Sequence, residues 1–498
     1  MRLFTGIALI LLFSVVVALH ISLAFSIPGL ATDSSYAHYR QVENIMETGK
    51  PLIHDALSYG GRTRFVSPVF YYLVAAFAKI SSISLAIKVI PSFLVGSMIF
   101  IMYAIAFELT KQESTALLTS LFAGFVPVFF AQTIATLSPM TLFFPLFFLL
   151  IYALLRLKNP YWQTAYFILV LLMAFVHPLA FVVVLGFLIY FLLVFIEHLE
   201  QDRGELEAGL LTIVILLWAQ LILYKNLLLF HGPLVIWQNI PKAMLSESFT
   251  NVTMTIAIAQ IGVIPFLRGI WVLSFSLFRN KRREVYLLGG MTIGVSILLW
   301  LRLIELYVGL IFLGLLLVAL FSIGWKMFVS LVSKSKANKA IPWFWVSILL
   351  VCILTSIIPS VAFATKHLNN AATSYDLSAF DWIRRSTPAE TVIVALPEEG
   401  NFIASLAERK NIIDTTFLLI KDSSERFDDV KRIYSTAFEI EAVQLMDEYN
   451  AGYIYYSSRA KSKFPSPIFA SSKCFNEVYS NGETRIYEKD ELCRVTIE

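Results

Sequence analysis

Residues 279–328 read RNKRREVYLLGGMTIGVSILLWLRLIELYVGLIFLGLLLVALFSIGWKMF. Two apolar runs, 284–301 and 304–328, each come close to or exceed the roughly 20 residues that a helix needs to cross a hydrocarbon core. The cluster Arg279-Asn280-Lys281-Arg282-Arg283 precedes the first run, and only Arg302 and Glu305 interrupt the junction between the two. Lys and Arg collect in cytoplasmic loops. The stretch therefore reads as a membrane hairpin with the basic cluster inside and the Arg302–Glu305 turn outside.

Working outward, further apolar runs fall at 4–26, 86–107, 114–131, 137–156, 161–176, 179–198, 206–230, 252–278 and 341–363. With the first two they make about eleven expected transmembrane helices. Segment 66–83 is apolar but short and carries Pro68 near its start. Left in the interface, it keeps Arg2, Lys111, Arg156, Lys158, Arg203, Lys326, Lys334, Lys336 and Lys339 on the cytoplasmic side. Counted as a span, it sends the basic cluster outside. The positive-inside rule thus favours eleven spans, a cytoplasmic N-terminus and an extracytoplasmic C-terminus, in a multi-pass protein of the plasma membrane. The stretch Leu3–Phe25 exceeds a secretory h-region and lacks a small-x-small site after it, so it reads as an uncleaved first span.

The composition agrees. The chain of 498 residues is 58% hydrophobic and 15% charged, against about 25% charge in soluble domains. The net charge of +4 comes without a basic patch bearing interleaved aromatics, so no nucleic-acid partner is expected. Charge is concentrated beyond residue 365, which divides the chain into a membrane domain, 1–365, and an extracytoplasmic domain, 366–498. The second alternates helix and strand patterns: a helix at Ser374–Ser386, a strand at Thr391–Leu396, helices near 401–409, 426–435 and 437–449, and a strand at Tyr453–Tyr456. A hairpin turning at Asn481-Gly482 closes a small α/β fold. Cys474 and Cys493 flank that hairpin and can pair in an oxidising compartment, while Cys352 lies in an apolar run and reads as packing. No internal repeat, metal-ligand spacing or ATP-binding motif is present.

Chemistry concentrates in the long first outer loop, about 27–85. Residues 33–50 read DSSYAHYRQVENIMETGK. Val42, Ile45 and Met46 are spaced for an amphipathic helix that Gly49 and Pro51 end. Asp33 then sits at the mouth of the first span, where it serves either as a helix-capping carboxylate or as a reactive group. His54 and Asp55 follow, as a polar turn or a further acid/base pair. Arg302 and Glu305 are functional suspects by their membrane depth, with a snorkelling Arg or an i,i+3 ion pair as the structural alternative. His177 before Pro178 reads as structural, Arg268 as snorkelling, and the sequon at Asn251 as unused.

Residues 33–50 resemble the first-loop motif of the GT-C superfamily of membrane glycosyltransferases, especially oligosaccharyltransferase catalytic subunits and their paralogues. Asp33, Tyr39-Arg40 and Gly49 match the motif's positions, and Pro68–Tyr72 resembles the half-embedded helix of the same loop. FDWIRRSTPAETVIV, IASLAERKNIID and VYSNGETRIYE resemble segments of such proteins' outer domains. The resemblance implies inverting transfer of a sugar from a polyprenyl-phosphate carrier to a glycan, lipid or protein acceptor at the outer face of the bilayer. It nominates Asp33 as the catalytic carboxylate, with His38, Tyr39, Arg40, His54, Asp55, Arg302 and Glu305 around the substrates and Arg302 on the lipid phosphate. A divalent metal, Mg or Mn, would fall to Asp33 if any is used. Two departures bear on this. The second outer loop, Gln132–Pro139, lacks the acidic pair of oligosaccharyltransferases, and no Trp-Trp-Asp motif occurs, so transfer of a single sugar fits better than transfer of an oligosaccharide to asparagine. The competing readings are a non-catalytic relative whose outer domain binds a glycan or partner, and a lipid-carrier flippase or transporter. The second is disfavoured by the absence of repeated halves.

Overall fold

Apolar helices buried along one or more faces account for most of the chain. The computed structural model describes residues 3–200, 202–250, 252–279, 281–335, 341–490 and 492–493. Arg2, Asn280, Lys336, Lys339 and Asn251 of the sequon lie outside the described residues. The chain divides into two compact units. The first comprises Met1–Ile27, Ser67–Lys225 and Ser248–Asn369, and the second Pro28–Val66, Asn226–Glu247 and Asn370–Glu498. Segments 28–66 and 226–247, which lie within the stretch read from sequence as membrane domain, thus fold with the C-terminal residues.

Seven helices among the described residues are long and apolar enough to cross a membrane, or nine if each of two bent pairs is one span; all begin in the first unit, and one, Arg203–Glu247, continues into the second. The chain is a multi-pass membrane protein. Length and composition alone do not reach the eleven spans expected from the sequence. Helices Met140–Leu155 and Pro160–Val176 hold only 16 and 17 residues, about 24–26 Å at 1.5 Å per residue. Segment 66–83 yields a helix of 12 residues, Val69–Ile80, about 18 Å long and well short of a core of about 30 Å.

The run 252–278 is not one straight helix. Met254–Ile261 and Val263–Phe278 meet at 91°, and the break is Gly262, whose φ of +101° only glycine adopts without strain. Glu113–Gly124 and Pro127–Thr133 meet at 48°, because Val126 is held extended before Pro127. Helices Phe181–Ile196 and Arg283–Trp300 pack backbone to backbone: a Cβ on Gly290 would lie 2.9 Å from the Gly186 carbonyl oxygen. Small residues permit such approach between membrane helices. His20 ties three helices, its ring nitrogens 2.9 Å from Ser92 Oγ and 3.1 Å from Thr133 Oγ1. His177 caps the turn after it, its Nδ1 accepting from the Leu179 N–H, and Arg268 lies over the Trp271 and Phe328 rings.

In the second unit a mixed sheet orders its strands as Lys410–Asn411, Val392–Val394, Ala451–Tyr456, Arg485–Lys489 and Phe475–Ser480. Its strands are β3 (Val392–Val394), β4 (Lys410–Asn411), β5 (Ala451–Tyr456), β6 (Phe475–Ser480) and β7 (Arg485–Lys489). β3 runs parallel to β4 and β5, whereas β7 is antiparallel to β5 and β6. Val394, Ile454 and Tyr487 pack on Ile433, Tyr434 and Phe469 to form its core. The expected helix Ser374–Ser386 forms, with Thr373 and Asp376 as a capping box. The Asn481-Gly482 turn joins β6 to β7, and Cys474 is bonded to Cys493 across 19 positions, while Cys352 is free and buried. From the first loop come helix Asp33–Thr48, ended by Gly49 at φ +74°, and the short ladder of β1 (His54–Asp55) with β2 (Arg62–Thr63).

Candidate functional site

The helix Asp33–Thr48 buries Tyr36, Val42 and Ile45, the amphipathic face visible in the sequence. Asp33 occupies its first turn, where the helix dipole favours a carboxylate. Its side chain does not cap its own helix. Instead Oδ2 accepts from Asn401 Nδ2 at 2.8 Å and Thr415 Oγ1 at 3.0 Å, and Oδ1 accepts from the Phe402 N–H at 3.0 Å. Asp33 is 5% exposed. Burial raises its carboxyl to about 7, with Asp414 pushing the same way and the Asn401, Phe402 and Thr415 hydrogen bonds opposing. Asn401 Oδ1 is buried without a hydrogen-bond partner. A neutral Asp33 can supply one by donating its O–H, since the two ends of an amide are interchangeable by rotation. The group is thus balanced near neutrality between an acceptor and a donor.

Two turns along the helix, Arg40 meets Asp55 at 2.7 Å, and Arg64 reaches the same Asp55 oxygen at 2.9 Å. Asp55 also accepts from the Leu57 and Ser58 N–H groups. Arg64 lies 3.8 Å and Arg62 3.5 Å from Asp414, which also accepts from Ser58 Oγ at 2.6 Å. Burial alone would raise both acids, but the arginines outweigh it and hold Asp55 and Asp414 below the usual carboxylate range. Three carboxylates thus share one region, and among the described residues Asp55 and Asp414 have a cation partner whereas Asp33 has none. Glu399, two residues before Asn401, is also buried. Its burial lifts the carboxyl to about 8, with Ser457 donating to one oxygen.

The other first-loop residues are dispersed around this network. Tyr39 donates to Glu43 at 3.1 Å, His38 is half-buried on the same helix, and His54 is exposed on β1. Arg302 and Glu305 belong to the other unit. Arg302 follows helix Arg283–Trp300 at φ +55°, its guanidinium 5.4 Å from the centre of the Phe249 ring. Glu305 precedes helix Leu306–Ser333 at its N-cap. The two form no ion pair among the described residues, so the i,i+3 pair allowed by their spacing is not made. Thr136, in the acid-free segment Gln132–Pro139, meets His367 Nε2 at 3.1 Å.

Sequence reasoning missed Asn401, Thr415, Asp414, Arg62 and Arg64. Asp414 ends the segment IASLAERKNIID singled out above, but its arginine partners lie some 350 positions away, and no local pattern announces them. Among the described residues no group of three or more His, Cys, Asp or Glu is placed to hold a metal ion, and hydrogen-bond donors occupy both Asp33 oxygens.

No family model matches the sequence, and no curated protein matches it at the sequence level. Solved structures do match. The oligosaccharyltransferase AglB of Archaeoglobus fulgidus, in complex with an inhibitory peptide and a dolichol-phosphate, superposes with a TM-score of 0.66 at 13% identity, covering 99% of this chain and 75% of that one. The chain has the GT-C fold. Other GT-C structures agree. ArnT from Cupriavidus metallidurans bound to undecaprenyl phosphate matches with a TM-score of 0.55 at 10% identity, over 98% of this chain and 99% of that one. The arabinofuranosyltransferase AftD from Mycobacteria matches with a TM-score of 0.54 at 13% identity, over 96% of this chain and 40% of that one.

Proposed function

We propose that this GT-C protein is a membrane glycosyltransferase that moves one sugar from a polyprenyl-phosphate-linked donor to an acceptor, with Asp33 as the catalytic base. The observation that carries the reading is the Asp33 carboxyl. It is buried at a helix start, without a cation, and titrates near 7, where a general base works best. As the acceptor oxygen bonds to the sugar's anomeric carbon, its proton passes to an Asp33 oxygen. The carbon–oxygen bond to phosphate breaks on the opposite face, and the phosphate leaves with the electron pair. Inversion follows from that single displacement. To act, Asp33 must exchange at least one of its three donors for the acceptor hydroxyl.

For the donor lipid, an apolar cavity of about 350 Å³ is lined by Phe266, Ile270, Leu273, Ile297, Trp300 and Leu317. This suits a polyprenyl chain, and Arg302, two residues beyond Trp300, suits its phosphate. The topology that goes with this reading is eleven spans, with the N-terminus cytoplasmic and the Asp33 side extracytoplasmic.

The full hydrogen bonding of Asp33 also favours a second reading, a non-catalytic relative in which the carboxyl is a structural staple. A transfer assay in membranes separates the two, using a panel of radiolabelled polyprenyl-phosphate sugars with wild type and Asp33→Asn, with and without EDTA. Loss of transfer in a folded Asp33→Asn protein supports the enzyme. Undiminished transfer removes Asp33 from catalysis, and EDTA sensitivity would call for a metal.

A further inference from the structure

Segment 226–247 joins two apolar runs of the sequence and folds within the second unit. Its backbone passes twice in succession through the left-handed region, at Gln238 (φ +52°) and Asn239 (φ +56°). Asn enters that region more readily than most residues, whereas Gln does not. The turn aims the buried Asn239 side chain at a second segment. Its Nδ2 donates to the Phe417 carbonyl at 3.0 Å and to the Ile420 carbonyl at 2.7 Å. The Asn239 carbonyl accepts from Ser423 Oγ at 3.1 Å, and His231 Nε2 accepts from the Leu419 N–H at 2.8 Å. Leu419 is itself left-handed, at φ +65°. Backbone strain of this kind persists only where its surroundings over-determine it. Here Ile240 and Met244 fix the segment by packing on the core of the unit.

The residues held this way run on directly from Asp414, Thr415 and Thr416. Thr415 Oγ1 donates to Asp33 Oδ2 at 3.0 Å and accepts from Asn401 Nδ2 at 3.2 Å. Asn401 Nδ2 also donates to the same Asp33 oxygen, so the three side chains close a triangle. Thr415 is fixed on one side by Ser58 and Tyr59, which donate to Asp414, and on the other by the Arg62 guanidinium at Thr416. Beyond Thr416, Asn239 takes the Phe417 carbonyl, two residues from Thr415.

We propose that Asn239 is a positioning residue for Asp33: by holding the Phe417 and Ile420 carbonyls, it fixes the point from which Thr415 donates to the carboxylate. The proposal rests on Asp33 being the reacting carboxyl of the glycosyltransferase reading. A hydrogen bond to the charged form favours that form, and its strength falls steeply as the donor moves out of line. Slack in residues 417–420 therefore reaches Asp33 as a weaker Thr415 bond.

Thermal unfolding of the detergent-purified full chain, from about pH 5 to 9, reads this directly. Each variant is compared with the same variant carrying Asp33→Asn, which subtracts His231 and every other titrating group. Asp414 and Tyr36, the other titratable groups that bear on Asp33, stay unchanged in every variant. In wild type the stability loss owed to Asp33 levels off at about pH 7. Thr415→Val should raise that point by roughly one pH unit. Gly adopts the φ of +56° freely, so Asn239→Gly deletes the carboxamide without straining the turn. It should raise the point in the same direction, and the double variant should go no higher than Thr415→Val alone. If Asn239→Gly does not fold, Ser423→Ala, which frees the Asn239 carbonyl, carries the same test with a smaller shift. A point unmoved by Thr415→Val or by Asn239→Gly, or shifts that add in the double variant, would overturn the proposal. The readout needs no sugar, so a wild type that behaves as expected yet transfers nothing would remove the glycosyltransferase reading and leave Asn239's hold on Thr415 in place.

Discussion

Asn401 Nδ2 donates to Asp33 Oδ2 over 2.8 Å, joining residues 368 positions apart. The amide fixes which carboxyl oxygen faces it, and its own unpartnered oxygen accommodates a proton there. This relationship has measurable consequences.

The first concerns pH. A carboxyl raised from 3.8 to about 7 in the folded protein binds more protons folded than unfolded between those values. Stability is therefore greatest below pH 4 for this group and falls as pH rises toward 7. The full shift corresponds to a cost on the order of 4 kcal/mol above pH 7. Asp33→Asn should flatten the unfolding profile between pH 4 and 7 and exceed wild type in stability at pH 8. A variant that tracks wild type across this range would show that Asp33 is not the titrating group.

Asp414→Asn removes the anion that Arg62 and Arg64 share, leaving two buried guanidinium groups short of charge. Breaking a buried pair costs about 3–5 kcal/mol. Limited proteolysis of the full chain should then cut within 28–66 and 370–490 at protease levels that leave wild type intact.

The bond between Cys474 and Cys493 closes a loop of 19 positions, which in the chain-entropy account is worth about 3 kcal/mol. Reduction, or Cys493→Ser, should lower the unfolding temperature of the second unit. Equal melting of reduced and oxidised protein would contradict this.

Gly262→Ala places a Cβ at φ +101°, in the bend between two apolar helices. The expected loss is about 1–2 kcal/mol, read as a lower unfolding temperature in detergent, with the Asp33-dependent pH profile unchanged.

The sequence made the local elements legible. The 3.6-residue spacing of Val42 and Ile45, the amphipathic pattern of Ser374–Ser386 and the Asn-Gly hairpin are all short-range signals, and each element formed where expected. The bend at Gly262 was readable only as an apolar run, because a single glycine does not reveal its φ. Asp33 was legible as a carboxylate at a helix start, and Arg40 and Asp55 as its neighbours. Their partners were not, since Asn401, Asp414 and Thr415 are ordinary polar residues whose role exists only once distant segments meet.

The second unit is assembled from three separated stretches, 28–66, 226–247 and 370–498. At about 5–20 residues per second, a ribosome needs roughly 20–70 s to travel from Asp33 to Asn401. Through that interval helix Asp33–Thr48 waits without its donors, and Arg62 and Arg64 without Asp414. Chain truncations anywhere before about residue 415 should therefore be recognised as incomplete by cellular quality control, however well their membrane helices have inserted.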